Sequence, residues 1–150
     1  MVFCLREFKK GLLLAGFVLL FFVSGVYAQN SKQDGTLNQW IIYAQRGDYD
    51  QAIVELTKII KTHPDSADAY YDRGTIYAQE GKFDEAINDC NKAIELRPDY
   101  ADAYYNRAVA YFSKKQYDKA WDDVYQAQKL GYEVKPKFLE MLRKASSREK

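Results

Sequence analysis

Residues 67–100 read ADAYYDRGTIYAQEGKFDEAINDCNKAIELRPDY, and this stretch of 34 residues recurs on both sides of itself in the chain. Aligned with residues 33–66 it has 13 identities, and aligned with residues 101–134 it has 12. Self-similarity at one fixed period is the signature of a repeat protein, in which each unit packs against its neighbours. The chain is therefore predicted to contain three tandem units.

Each unit is predicted to form two amphipathic helices. Small and aromatic side chains recur at i, i+4, i+7 and i+8 in the first half of the central unit, which places them on one helical face; they are Tyr70, Gly74, Tyr77 and Ala78. The second half shows apolar residues at helical spacing as well, namely Ala86, Ile87, Cys90, Ala93, Ile94 and Leu96. No strand pattern is evident, so the fold class is all-α.

The two helices of a unit are joined by a short turn. Gly81 is expected to end the first helix, and Asp84 to accept free backbone N–H groups at the start of the second. Pro98 closes the unit because proline cannot continue a helix interior. The third unit has Lys115 where the other two have glycine.

The period, the two-helix unit and these marks resemble the tetratricopeptide repeat. The central unit matches that family's pattern at Tyr70, Gly74, Tyr77, Ala86, Cys90, Ala93 and Pro98. The third unit matches at Tyr104, Ala108, Tyr111, Ala120, Val124 and Ala127, but has Tyr132 in place of proline. The first unit departs most, with Thr36, Trp40 and Ile59 at marked positions. The resemblance implies a right-handed α-solenoid of three repeats over 33–134, divided into 33–66, 67–100 and 101–134.

The segment before the repeats has the pattern of a secretory signal peptide. Basic residues precede an uncharged run of 18 residues, 11–28, which ends in Val26-Tyr27-Ala28. Residues 1–28 are therefore expected to direct export, which places the chain in a periplasm or secretes it. The alternative is an uncleaved membrane anchor, because this run is close to the roughly 20 residues that span a bilayer. Cleavage before Gln29 would leave Cys90 as the single cysteine, so no intrachain disulfide is expected.

The segment after the repeats, residues 135–150, is predicted to form a capping helix with a basic tail. Phe138, Met141, Leu142 and Ala145 recur at i, i+3, i+4 and i+7. Its opposite face is basic, with Lys137, Arg143, Lys144, Arg148 and Lys150. The simplest interpretation is a solvated outer face. Contact with anionic lipid or an acidic partner is the alternative.

The residues that catalysis requires are scarce. His63, the single histidine, stands beside a proline and is expected to be an exposed turn residue, while Cys90 is expected to be a small core side chain. One histidine and one cysteine cannot form a zinc site. The acidic pairs Asp99 with Asp102 and Asp122 with Asp123 are interpreted as capping or surface residues. We predict no enzyme activity, no metal and no cofactor, and the net charge of +1 argues against nucleic acid.

In tetratricopeptide repeats the first helix of each unit lines a concave groove. Carried onto this chain, the first unit supplies Asp34, Leu37, Asn38, Ile41, Ala44 and Gln45. The predicted partner-binding residues of the other two units are Asp68, Tyr71, Asp72, Thr75, Asp102, Tyr105, Asn106, Val109 and Phe112, flanked by Ala78, Gln79 and Ser113. Exposed tyrosines make good binding anchors, and the acids favour a partner with Lys or Arg. The alternative is that Tyr71 and Tyr105 only pack against neighbouring helices.

One partner class is excluded by the residues in the groove. Family members that bind the C-terminal carboxylates of chaperones use Lys, Asn and Arg at five groove positions, which this chain fills with Leu37, Ile41, Asp72, Asp102 and Asn106. The sequence therefore predicts an exported scaffold that binds a basic or aromatic segment of a partner protein. A membrane-anchored assembly factor for an envelope complex is the alternative function.

Overall fold

The computed structural model describes residues 39–146, which form seven α-helices and no strand within that range. The helices are α1 Gln39–Arg46, α2 Tyr49–Thr62, α3 Ala67–Gln79, α4 Phe83–Leu96, α5 Ala101–Ser113, α6 Tyr117–Lys129 and α7 Pro136–Ser146. Each helix packs against the next one along the chain, and α3 also contacts α5. The predicted all-α solenoid of helix–turn–helix repeats with a closing helix is confirmed. The signal or anchor segment 1–28 lies outside the described residues, as do positions 33–38 of the first unit.

The turn inside each repeat passes through a left-handed backbone conformation. Gly47 and Gly81 have φ values of +82° and +79°, and Lys115 has φ +60° at the equivalent position of the third repeat. A residue with a Cβ is strained in this region, whereas glycine is not. The glycines therefore end α1 and α3 as expected, and the third repeat makes the same turn with a less suitable residue.

The second helix of the central repeat does not begin as the sequence predicted. Helix α4 starts at Phe83, so Asp84 lies within its first turn, and the preceding Lys82 makes no side-chain cap. The carboxylate of Asp84 accepts a hydrogen bond from Lys114 Nζ of the next repeat instead. The prediction that Asp84 caps this helix is wrong, although a negative charge in the first turn still stabilises the helix N-terminus.

Small side chains allow the helices of each repeat to approach closely. Ala52, Ala86 and Ala120 occupy one repeat position and are at most 2% exposed. Cys90 is 1% exposed, and burial raises the pKa of its thiol to about 12. Its prediction as a core side chain is confirmed, because a thiol with so high a pKa is not ionised near neutral pH.

A buried arginine joins three helices in the central repeat. Arg73 on α3 donates to both carboxylate oxygens of Asp89 on α4 at 2.7 and 2.8 Å. Its third donor reaches Thr57 Oγ1 on α2, in the previous repeat, at 3.0 Å. One guanidinium therefore fixes both the pairing within the repeat and the stacking on its neighbour.

The same arrangement recurs one repeat later. Arg107 donates to both oxygens of Asp123 at 2.8 and 2.6 Å, and to Asn91 Oδ1 at 2.6 Å. Asp123 is 4% exposed. The prediction that Asp122 and Asp123 are capping or surface residues is therefore wrong for Asp123, whose side chain turns inward because Arg107 neutralises it.

The repeated tyrosines flank these arginines. The Cζ of Arg73 lies 5.8 Å from the ring centres of both Tyr70 and Tyr77. The Cζ of Arg107 lies 5.4 Å from Tyr104 and 6.0 Å from Tyr111. Rings at these distances attract a cation and shield it from water. Much of the content of 13 tyrosines is thus explained by packing inside the repeats.

Helix α7 closes the last repeat. Phe138 and Leu142 are 9% and 0% exposed in a core cluster with residues of α5 and α6. Trp121 Nε1 donates to Ser146 Oγ at 3.1 Å and joins α6 to the end of α7. Met141, which was expected on the same apolar face, is 43% exposed because it points past the edge of α6 and α5 contacts. The role of α7 as a cap is confirmed, with a narrower buried face.

Candidate protein-binding groove

The nine predicted site residues lie on two neighbouring helices of the solenoid. Four of them are on α3 and five on α5, the first helices of the central and third repeats. We call this set the groove face: Asp68, Tyr71, Asp72, Thr75, Asp102, Tyr105, Asn106, Val109 and Phe112. Of the positions predicted in the first repeat, Ile41 and Ala44 are half-buried and Gln45 is exposed on α1. Asp34, Leu37 and Asn38 lie outside the described residues.

A polar link crosses the centre of the groove face. Asn106 Nδ2 on α5 donates to Thr75 Oγ1 on α3 at 2.8 Å. The Thr75 hydroxyl donates in turn to the backbone carbonyl of Tyr71, one helical turn earlier, at 2.9 Å. The structure therefore brings these three predicted residues together and fixes α3 against α5 at this point.

At one edge of the groove face, Asp68 is held by residues that the sequence analysis did not select. Arg97 donates to both of its carboxylate oxygens at 2.9 and 2.8 Å, and the Tyr100 hydroxyl donates at 2.8 Å. The Arg97 hydrogen bonds hold the pKa of Asp68 below its ordinary value, against the opposing effect of burial. Arg97 and Tyr100 follow α4 in sequence, so only the folding of the repeat brings them to α3.

The ring of Tyr71 is partly covered by one of these added residues. Its centre lies 4.9 Å from that of Tyr100, with the two planes tilted by 37°. Burial raises the pKa of the Tyr71 hydroxyl, and the negative charges of Asp102 and Asp72 raise it further. The phenol is therefore neutral and half-buried, with carboxylates nearby.

Asp72 has a different environment from Asp68, although both lie on α3. Burial raises the pKa of its carboxyl to about 6, and the negative charge of Asp68 contributes in the same direction. No hydrogen bond or ion pair joins Asp72 to a cation among residues 39–146. Its carboxylate is thus half-buried without the neutralising contacts that Asp68 receives.

The aromatic residues of the third repeat pack against the closing segment. The ring of Tyr105 stacks on Tyr132 at 4.7 Å and meets Phe138 edge-on at 5.5 Å. Phe112 also meets Phe138 edge-on at 5.5 Å, and Val109 packs against the same core cluster. These contacts match the packing alternative stated for Tyr105 above. A binding role for Tyr105, Val109 and Phe112 remains a prediction.

The described residues offer little to a catalyst. Between residues 39 and 146, no three His, Cys, Asp or Glu side chains are grouped so that they could hold a metal ion. His63 is exposed as expected, and its Nδ1 lies 2.9 Å from Thr62 Oγ1. In the same part of the chain, no helix combines the length and apolarity needed to cross a bilayer.

Comparison with known proteins identifies the family. Models described as TPR repeat match residues 42–81 and 74–115, and a tetratricopeptide repeat model matches residues 101–130. The TPR2B domain of yeast Sti1, solved as a complex with an Hsp70 peptide, is 30% identical with a TM-score of 0.68. The match covers 77% of this chain and 97% of that domain. The chain belongs to the tetratricopeptide repeat family.

Other tetratricopeptide repeat structures are similar over most of the chain. The first TPR of Spaghetti (RPAP3), bound to the HSP90 peptide SRMEEVD, is 29% identical with a TM-score of 0.67, over 73% of this chain and 86% of that one. The first TPR domain of human RPAP3 is 28% identical with a TM-score of 0.67, over 75% and 87% of the two chains. No curated protein matches the chain in sequence.

Proposed function

We propose that this tetratricopeptide repeat protein is an exported interaction module that binds a segment of a partner protein along the groove face. The observation that carries the proposal is the Asn106–Thr75 hydrogen bond of 2.8 Å, which fixes α3 against α5. The ring of Tyr71 and the carboxylate of Asp72 lie on the same face, and both are half-buried. A rigid, partly exposed surface of aromatic and polar groups suits protein recognition, since little side-chain entropy is lost on binding.

The charge of the groove face favours a basic or aromatic partner. The structural neighbours described above hold peptides such as SRMEEVD, which has three acidic residues. In this chain the corresponding positions within the described range are Ile41, Asp72, Asp102 and Asn106, and none of them is a cation. An acidic peptide would meet two carboxylates here, so like-charge repulsion would oppose its binding.

The proposal includes export and excludes catalysis by this chain. The basic start and uncharged run of residues 1–28 favour secretion or release into a periplasm. If the segment is retained, the protein is a membrane-anchored assembly factor. Mass spectrometry of the protein from its native host separates these two: a chain that begins at Gln29 supports export with cleavage, and an intact N-terminus supports the anchor.

Photo-cross-linking tests the groove face as the binding surface. A photoreactive phenylalanine analogue is placed at Tyr71 in one variant and at Tyr125 in a matched control. Tyr125 is a 58% exposed tyrosine on α6, outside the groove face. In the native host, we expect a discrete adduct from position 71 that is absent from position 125. Identical adducts from both positions, or none from position 71, would reject the proposed function.

A further inference from the structure

The two carboxylates one turn apart on α3 differ in how they are neutralised. Asp68 accepts hydrogen bonds from both Arg97 nitrogens and from Tyr100. Asp72 is more deeply buried than Asp68 and receives no such contact from residues 39–146. A carboxylate taken partly out of water without a cation costs free energy. Asp72 is therefore a position at which a positive charge from outside would be favourable.

The surroundings of Asp72 leave this charge uncompensated from every side. On its own helix the nearest charge is that of Asp68, which is negative. The turn after α4 contributes Arg97, already paired with Asp68, and the neutral Tyr100. Helix α5 contributes the negative charge of Asp102, which acts on the neighbouring Tyr71. The titratable residues of α1, Tyr43 and Arg46, have no effect on Asp72.

An aromatic ring lies next to this carboxylate. Tyr71 precedes Asp72 on α3, and its ring is fixed by its contact with Tyr100 at 4.9 Å and by the Thr75 bond to its backbone. A cation that pairs with a carboxylate gains further attraction from an adjacent aromatic face, and the aliphatic stem of Lys or Arg packs well on such a ring.

We propose that the groove face binds its partner segment through one lysine or arginine side chain, whose cation pairs with the carboxylate of Asp72 against the ring of Tyr71, and that acid releases this segment. The inference rests on the proposed function and specifies its partner. Charge complementarity identifies the occupant as a segment of another protein with a basic residue. A second copy of this chain, which has basic side chains on α7, is the competing occupant.

The acid release follows from the protonation of Asp72. With a pKa of about 6 in the free protein, the carboxyl is mostly ionised at pH 7 and mostly protonated at pH 5. A cation binds only the ionised form well, so the affinity falls by about tenfold between these two pH values. The cation itself does not titrate in this range, because the pKa of Lys and Arg lies above 10.

The probe is a library of randomised 12-residue peptides, selected at pH 7.5 on the purified full chain immobilised through a C-terminal tag. Selected peptides are mapped by NMR, through the side-chain signals of Thr75 and Asn106. We expect peptides that shift these signals to share a Lys or Arg at one common position. Replacement of that residue by norleucine should weaken binding at least tenfold, and exchange between Lys and Arg should show which cation is preferred.

A double-mutant cycle assigns the contact. Asp72→Asn should weaken the basic peptide at least tenfold and leave its norleucine form unchanged. Asp65→Asn, at an exposed carboxylate in the turn before α3, is the matched control and should have no effect. The wild-type affinity should fall about tenfold from pH 7 to pH 5, whereas that of Asp72→Asn should stay constant. Circular dichroism verifies that both variants are folded.

The possible failures are distinguishable. Groove-mapped peptides without a common cation, or a cycle in which the two changes are additive, would overturn the inference and leave the proposed function standing. Peptides that never shift Thr75 or Asn106 would overturn both. Concentration-dependent dimerisation that is lost in Asp72→Asn would show that a second copy is the occupant, and would also overturn the inference.

Discussion

Arg107→Met should destabilise the fold strongly, although it alters one side chain far from the groove face. In the native protein the guanidinium makes two hydrogen bonds to Asp123, at 2.8 and 2.6 Å, and one to Asn91. The side chains of Arg107 and Asp123 are 18% and 6% exposed. Methionine fills similar volume but leaves the Asp123 carboxylate buried without a partner.

The expected loss is about 3–5 kcal/mol in the free energy of unfolding, which is the usual cost of an uncompensated buried charge. A domain of this size has about 5–15 kcal/mol in total, so the variant should unfold at much lower denaturant concentration. Arg97→Met is the matched control, since it breaks a bidentate pair with Asp68 whose side chains are 42% and 60% exposed. Exposed pairs contribute about 0–1 kcal/mol.

The assay is urea unfolding at pH 7, followed by far-UV circular dichroism. Adding Asp123→Leu to Arg107→Met should restore most of the lost stability, because the buried charge is then removed. The deficit of the single variant should also shrink as the pH falls from 7 to 5. Burial already raises the pKa of Asp123, and loss of Arg107 raises it further, so the carboxyl takes up a proton. A loss below about 1 kcal/mol, or an equal loss in Arg97→Met, would refute the reasoning.

Three further predictions concern single positions. Lys115→Gly should stabilise the fold by about 1 kcal/mol in urea unfolding, because φ +60° strains a residue with a Cβ; a loss of stability would contradict this. Gly74→Ala should destabilise by about 1 kcal/mol in the same assay, since its Cβ would lie 3.2 Å from the Ala86 carbonyl oxygen; an unchanged midpoint would contradict it. Asp72→Asn should stabilise the free protein at pH 7 by about 1 kcal/mol, after allowance for partial exposure. The wild type binds this proton more tightly when folded, so its stability is highest below pH 4 and falls as the pH rises through about 6; a variant that keeps this pH dependence would contradict the assignment.

The periodic features of the sequence predicted the fold well. A spacing of 34 residues fixes which side chains meet between successive repeats, so the buried Ala52, Ala86 and Ala120 could be identified from one alignment. The turn glycines follow from the same period, because φ values near +80° require them. These features are local or repeat exactly one unit apart, which is why a pattern reveals them.

Contacts between unlike positions could not be predicted in this way. Asp123 has the composition of a surface residue, and only its three-dimensional distance from Arg107 makes it a buried partner. Arg97 and Tyr100 reach Asp68 across a whole repeat, 29 and 32 residues along the chain. Similarly, the rings of Tyr105 and Phe112 fit a groove by position, but their contacts with Phe138 depend on where α7 packs.

The central claim is that the groove face binds a partner protein. Its most direct test is the amount of partner cross-linked in the native host by Tyr71→Ala, relative to the amount cross-linked by the surface control Tyr125→Ala. Removal of a binding anchor costs about 2 kcal/mol or more, so the account predicts that Tyr71→Ala retains roughly a tenth or less of the partner. Equal amounts from the two variants, with equal helicity, would contradict the account.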